Sequence, residues 1–392
     1  MNEDNFLGNL YQRFPINIES GKGAKIWDKD GREYIDCMGG YGVALVGHCN
    51  KRVVNAIKTQ SEKIITCHMS TYNETRLKFL EKIVDIAPEN LTKVFFSNSG
   101  AESIETALKF TRKYTGKKGI ISMNGGYHGK TLGALSVTYN EKYRKAFKPL
   151  LDGVKFVPYN NSLRIKEAID ENIGGVIIEP IQGETGIIVP SDGVIQEIRE
   201  ICDDNNLVLI FDEIQSGLGR TGKMWAGEHW KTVPDIMCLA KGIAGGLPMG
   251  LTLCKPEIMD SMKMGEHSST FAGNPIACAS GIATLEALTE DGLVENAEEI
   301  GTKFKNGLQV LKEKHKIIRD VRGLGLMLAV ELRFDVKNIL FDSIKEGLLT
   351  LYSGRNILRL LPPLVLDENQ MSKSIDIIDK VIGKEEERRN VK

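Results

Sequence analysis

The chain has 392 residues, of which 42% are hydrophobic and 26% charged, with a formal net charge of -1. That apolar content is enough to bury a core over two or three domain-sized units, which excludes a disordered chain. The near-neutral balance gives no general attraction to nucleic acid or to an acidic membrane, and neither is expected as a partner.

Seven cysteines, at 37, 49, 67, 202, 238, 254 and 278, are scattered with no CxxC pair. The pattern is that of reduced thiols in a cytoplasmic protein rather than a disulfide frame or a zinc site. The opening MNEDNFLGNLYQRF lacks the apolar run of a signal peptide. No apolar stretch reaches the ~20 residues of a membrane span.

Residues 21–37 read as a hairpin, two alternating strands about the turn Asp28-Lys29-Asp30-Gly31. Residues 38–48, MGGYGVALVGH, are a glycine-rich segment able to pack close to a neighbour or a ligand. Helical spacing runs over 52–65. Strands are then expected at 94–96, 120–123, 154–157, 175–178, 207–211, 236–240 and 251–254, with a helix opening at 97–102 and carrying Ile104, Ala107, Leu108 and Phe110. Strand and helix in alternation imply a doubly wound, mostly parallel sheet. Beyond about 275 the chain turns helical and then mixes helices with strands such as 327–331, a smaller α+β domain that the opening hairpin joins. The closing KEEERRNVK reads as a solvated charged tail.

The chemistry concentrates after two apolar runs. Residues 207–211 end at Asp212 and Glu213, and 236–240 end at Lys241. Such runs are strands buried on both faces, and ligands of open α/β sheets gather at the strands' carboxyl ends. A carboxylate and an amine at adjacent strand ends suit pyridoxal 5'-phosphate (PLP), whose aldehyde takes the lysine and whose pyridinium nitrogen takes the acid.

Other motifs are weaker alone. Residues 97–101 put small side chains and a glycine at a helix start, which suits a phosphate or a plain N-cap. Residues 124–131, NGGYHGKT, nearly spell a Walker A loop, and the strand ending in Asp212-Glu213 resembles a Walker B strand, so a P-loop ATPase is the rival from another class. Asn124 stands where that loop needs glycine, and Tyr127 and His128 would crowd it. An aromatic at Tyr127 stacked on a planar ring accounts for the same residues, with His128 structural or a neighbour of that ring. Glu184, between glycines after a strand, faces a cleft or is a solvated loop acid. Thr270, in HSSTFAGNP, suits a phosphate or a turn. The six histidines lack HExxH spacing and no GxSxG elbow occurs, so neither a catalytic metal nor a serine hydrolase is indicated.

With SNSGAE, GYHGKT, LIFDEIQSGLGRTG, PDIMCLAKGIAGGLPMG and STFAGNP in this order, the chain resembles the class III (subgroup II) PLP-dependent aminotransferases over almost its full length. The resemblance implies the fold type I architecture. Its large domain, 56–284, holds a mostly parallel seven-stranded sheet. Its smaller α+β domain combines the N-terminal segment 1–55 with 285–392. By the same resemblance Lys241 is the Schiff-base lysine and proton shuttle, Asp212 the partner of the pyridine nitrogen and Gln215 that of the ring's phenolic oxygen. Ser99, Gly100 and Ala101 are the phosphate cradle, and Tyr127 the stacking aromatic. Thr270 is a phosphate contact given to the partner subunit, which implies a homodimer with shared active sites.

The nearest branch resembles the acetylornithine and ornithine aminotransferases, which move a terminal amine to 2-oxoglutarate. Glu184 and Arg359 match that branch's switch between its two substrates, and Tyr41 and Ser269 match substrate contacts. Lys130 stands where the branch usually has arginine, giving a point charge instead of a fork for the substrate carboxylate. The wording of 40–48 leans to a sub-branch serving lysine biosynthesis, some members also serving arginine synthesis, with the substrate blocked by an amino-group carrier protein. An acetyl-blocked substrate is the close alternative, and a free-ornithine or GABA-type transaminase is further off. A glutamate semialdehyde aminomutase has no need of the Glu184–Arg359 switch.

Overall fold

A computed structural model describes residues 3–391. Its centre is a seven-stranded sheet of β1 (Lys93–Ser97), β2 (Gly119–Met123), β3 (Val154–Val157), β4 (Ile173–Ile178), β5 (Val208–Asp212), β6 (Ile236–Leu239) and β7 (Gly250–Cys254). The spatial order is β1-β7-β6-β5-β4-β2-β3. All neighbours are parallel except those of β7, which runs antiparallel to both β1 and β6. The seven apolar runs of the sequence are these strands, with ends shifted by one or two residues. Every residue of β4, IGGVII, and of β5, VLIFD, is buried, as a sheet covered on both faces requires.

The helix Gly100–Thr115 joins β1 to β2. Ser99 caps its start, accepting from the Glu102 N–H, and Gly116 ends it with a φ of 69°. Its inner face, Ile104, Ala107, Leu108 and Phe110, packs with Ile120, Ile177 and Val208 of the sheet.

A second sheet contains Ile318–Leu324, Met327–Leu332, Ile357–Leu360 and Leu351–Ser353, all antiparallel. A third contains Ile18–Lys22, Lys25–Asp28 and Glu33–Asp36, with Leu348–Leu349 added parallel to the last of these. The opening segment therefore pairs with the C-terminal part of the chain. The turn at 28–31 forms as expected, but a strand absent from the sequence reading, Ile18–Lys22, extends the hairpin to three strands.

Two expectations are corrected. The helix expected over 52–65 is Lys51–Ser61; only Val53 and Gln60 of it are buried, and beyond it Ile64 and Ile65 are exposed, so no core holds another turn. The closing charge run is not a solvated tail. The helix Glu368–Arg388 continues through it, and Glu385 is only 1% exposed, paired with Arg388 and Arg389. Glu386 meets the buried His315 at 2.7 Å. Lys392 lies outside the described residues.

The glycine-rich segment after Glu33–Asp36 makes a left-handed turn. Gly39, Gly40, Tyr41 and Gly42 have φ of 55°, 57°, 61° and 86°. Three glycines carry this conformation without strain; Tyr41 does not.

Candidate active site

The topology brings the carboxyl ends of β1, β2, β4, β5 and β6 to one edge of the sheet. Asp212 closes β5 opposite Cys238 of β6. It is 4% exposed; its Oδ1 accepts the Ile214 N–H at 3.1 Å, and its Oδ2 lies 2.7 Å from His128 Nδ1. A buried imidazole that donates from Nδ1 holds the carboxylate in one orientation. His128 is thus a neighbour of the acid, and its Nε2 is buried without a partner.

Lys241 follows β6 by two residues. Its backbone is left-handed, with φ of 48°, a conformation that costs a non-glycine residue about 1–3 kcal/mol and collects at functional sites. Its amine makes no hydrogen bond or ion pair among the described residues. Burial pushes its pKa below the usual lysine value, while the carboxylates of Glu184, Asp212 and Glu179 pull the other way. Desolvation favours the neutral form of an amine, and the neutral amine is the nucleophile.

Both side chains line a cavity of about 410 Å³, together with Ser99, Gly100, Ala101, Tyr127, Gln215 and Lys130. The first N–H groups of Gly100–Thr115 have no acceptor within the helix and point where its dipole favours an anion. Gln215 Oε1 is buried and has no hydrogen-bond partner. Ser269 Oγ accepts from Asn98 Nδ2 at 2.9 Å, and Asn98 also lines the cavity. Thr270 is exposed and lies outside the lining of its own chain's cavity.

Glu184 and Arg359 meet, although 175 positions apart: Arg359 Nη1 lies 2.9 Å from Glu184 Oε1. Arg359 has no side-chain exposure, and Glu184 is one-third exposed at 33%. The same Nη1 donates to the Gly183 carbonyl at 2.9 Å, while Nε and Nη2 have no partner. Tyr41 is not in the cavity wall. Burial raises its phenol pKa, and the charges of Glu184 and Arg359 reach it. Lys130 Nζ sits 4.9 Å from the centroid of the Tyr143 ring.

Glu179 was not singled out by the sequence, although it carries the signal that marks Asp212, an acid directly after a wholly apolar strand. Its carboxylate accepts the N–H of Tyr127 and of Gly183, each at 2.9 Å, and so ties the aromatic loop to the Glu184 loop. Burial raises its pKa above the usual carboxylate range; His128 opposes that and Asp212 adds to it.

The loop 124–131 does not wrap a phosphate. Gly129 has a φ of 134°, and a β-carbon there would lie 2.8 Å from that of Ala101, so the loop is closed against the helix start. An unpaired amine, the Gln215 amide and a free helix start around one cavity fit a planar ring carrying an aldehyde, a phenolic oxygen and a phosphate. Asp212, buried in the same cavity wall, is an acid of the kind that the ring's basic nitrogen requires. The fold and this chemistry define an α/β enzyme that uses pyridoxal 5'-phosphate.

Known proteins agree. The family described as Aminotransferase class-III matches residues 7–382. An acetylornithine aminotransferase of Methanopyrus kandleri is 42% identical over 374 residues, 95% of each chain. Ornithine aminotransferase 1 of Staphylococcus aureus is 40% identical over 381 residues, 95% of this chain and 96% of that one. The structure of the Toxoplasma gondii ornithine aminotransferase, described with partial occupancy of PLP at its active site, superposes with a TM-score of 0.95 at 31% identity, covering 99% of this chain and 94% of that one. The chain belongs to the class-III aminotransferases, and PLP is its cofactor. The P-loop ATPase reading is withdrawn.

Proposed function

We propose that this aminotransferase moves a terminal amino group from an N-blocked ornithine- or lysine-type substrate to 2-oxoglutarate, in arginine or lysine biosynthesis in the cytoplasm. The observation that carries this reading is the Glu184–Arg359 pair at 2.9 Å. A site that takes a terminal amine in one half-reaction and glutamate in the other needs a cation that can be hidden and uncovered. Arg359 is buried and fixed; Glu184 is part exposed and free to turn away. With Glu184 in place the wall is neutral to the terminal amine's chain. With Glu184 turned out, Arg359 offers its Nε and Nη2 donors to glutamate's α-carboxylate.

When bound, PLP supplies an aldehyde that takes the amino group and a ring that accepts the electrons left behind by a departing proton. Lys241 would hold the aldehyde, and its amine, when free, would move the proton at the substrate carbon that bears the nitrogen. Asp212, oriented by His128, keeps the pyridine nitrogen protonated. Gln215 donates to the phenolic oxygen, Tyr127 covers a ring face and excludes water, and Ser99, Gly100 and Ala101 hold the phosphate. Lys130 contacts substrate from the cavity wall; Tyr41 and Ser269, which lie outside the lining of this chain's own cavity, are the further substrate contacts that the resemblance implies. Thr270 reaches the phosphate of a second copy, in a homodimer with shared sites. Its exposure away from its own cavity supports this, as do the exposed apolar side chains of Ile65, Tyr72, Leu132 and Phe271.

The name of the Staphylococcus aureus relative favours free ornithine as a second reading. Turnover of acetyl-blocked, carrier-protein-linked and free ornithine and lysine, each with 2-oxoglutarate, separates the cases. The proposal expects a blocked substrate to lead in kcat/KM; a lead for the free amino acids sinks it.

A further inference from the structure

A second cavity, of about 580 Å³, adjoins the cofactor cavity, and Tyr127 and Glu184 line both. Among the described residues lining this outer cavity Arg144 is the sole cation. Its guanidinium lies over Phe156, with Cζ 4.5 Å from the centroid of that ring, and Tyr139 braces the ring edge-on at 5.5 Å. The side chain is only 18% exposed, and its Nε is buried without a partner. Its ion pair to Glu141 is long, 3.5 Å, and Glu141 is held more closely by Lys148 at 2.5 Å. A planar guanidinium with unused donors, backed by a ring in the wall of a cavity, suits a carboxylate. Lys130 does not fill that place. It is exposed, rests over Tyr143 and, as an ammonium, gives charge without a fork.

We infer that Arg144 binds the carboxylate at the blocked end of the substrate and sets the enzyme's preference for carboxylated over uncharged terminal amines. Lys130 supplies attraction at the inner cavity wall; Arg144 supplies orientation. This rests on the transaminase reading above and names the residue that makes that reading selective.

The test pairs N-acetylornithine with N-acetyl-1,4-diaminobutane, which keeps the amide and the reacting amine and lacks the carboxylate. The ratio of their kcat/KM values is taken within each protein, so a partly misfolded variant does not bias it. Arg144→Gln should lower the ratio roughly 10- to 100-fold, the loss expected of a hydrogen bond between charged groups, and Arg144→Lys should recover only part of it. N-acetylnorvaline, which has the carboxylate and no reacting amine, should bind Arg144→Gln more weakly than wild type by calorimetry. An unchanged ratio, an equal loss on both substrates, unchanged binding of N-acetylnorvaline, or a loss of preference in Lys130→Gln but not in Arg144→Gln would each overturn the assignment. Glutamate separates the two levels. If it bleaches the wild-type cofactor band while Arg144 fails these tests, only Arg144 is misassigned. If it leaves the band unchanged, the transaminase reading falls and this inference with it.

Discussion

Replacing Glu184 with glutamine keeps the side chain's shape and removes its charge. The pair it breaks is short, 2.9 Å, with Arg359 fully buried. At an effective dielectric of ~20 two unit charges at that distance attract by about 5–6 kcal/mol before desolvation is subtracted. One-third of Glu184 is in water, so the usable difference falls to that of a hydrogen bond to a charged group, about 1.5–3 kcal/mol. At ~1.4 kcal/mol per factor of ten, this is roughly a 10- to 100-fold effect. It should fall on one half-reaction only. An uncovered Arg359 disfavours the terminal amine but still receives glutamate's carboxylate. Rapid mixing of the PLP form with each donor, followed by cofactor absorbance, reads the two half-reactions separately. The ratio of their rates should move roughly 10- to 100-fold towards glutamate. Equal slowing of both, or a shift towards the terminal amine, would refute the switch.

Asp212→Asn should slow both half-reactions by orders of magnitude, because the pyridine nitrogen loses the acid that keeps it charged; an unchanged single-turnover rate would assign that nitrogen to another group. Lys130→Arg should change KM for the blocked substrate more than for glutamate, and equal changes would put Lys130 outside the substrate path. Glu213, buried behind β5, has its pKa raised from 4.5 to about 7 by burial, against the N–H groups of Ala226 and Gly227 and the Ser216 hydroxyl. A folded-state pKa above the unfolded one means that the folded protein binds more protons between those values. Stability is therefore greatest below about pH 4.5 as far as this group is concerned, and falls as pH rises through 7, by about 3 kcal/mol for two to three units. Urea midpoints at about pH 5 and about pH 8 should show a smaller fall in Glu213→Gln than in wild type, Glu179 still contributing; an identical fall would mean that Glu213 is not protonated in the folded state.

How legible each feature was depended on how local its cause is. The seven strands follow from apolar runs a few residues long, and Asp212 and Lys241 are visible because each breaks such a run with a charge. Glu179 has the same form, but nothing local says that its carboxylate binds Tyr127 and Gly183 N–H groups from two separate loops. Arg359 lies in a strand that is otherwise apolar, and only Glu184, 175 positions away, explains a buried cation there; the resemblance found that pair, not the pattern. The C-terminal charge run was misread for a related reason. Glu385 is buried by contacts with Asn338 on another helix as well as with its own helix's arginines, and charge counting along one segment does not see them. The left-handed turn at Tyr41 was legible as glycines, but not as a conformation.

The central claim, that Lys241 holds the aldehyde of PLP, is tested most directly by covalent trapping. The purified yellow protein is reduced with borohydride, digested, and its peptides weighed. The account predicts one pyridoxyl group on the peptide that contains Lys241 and none in Lys241→Ala. A label on another lysine, or a Lys241→Ala variant that still traps the cofactor, would contradict it.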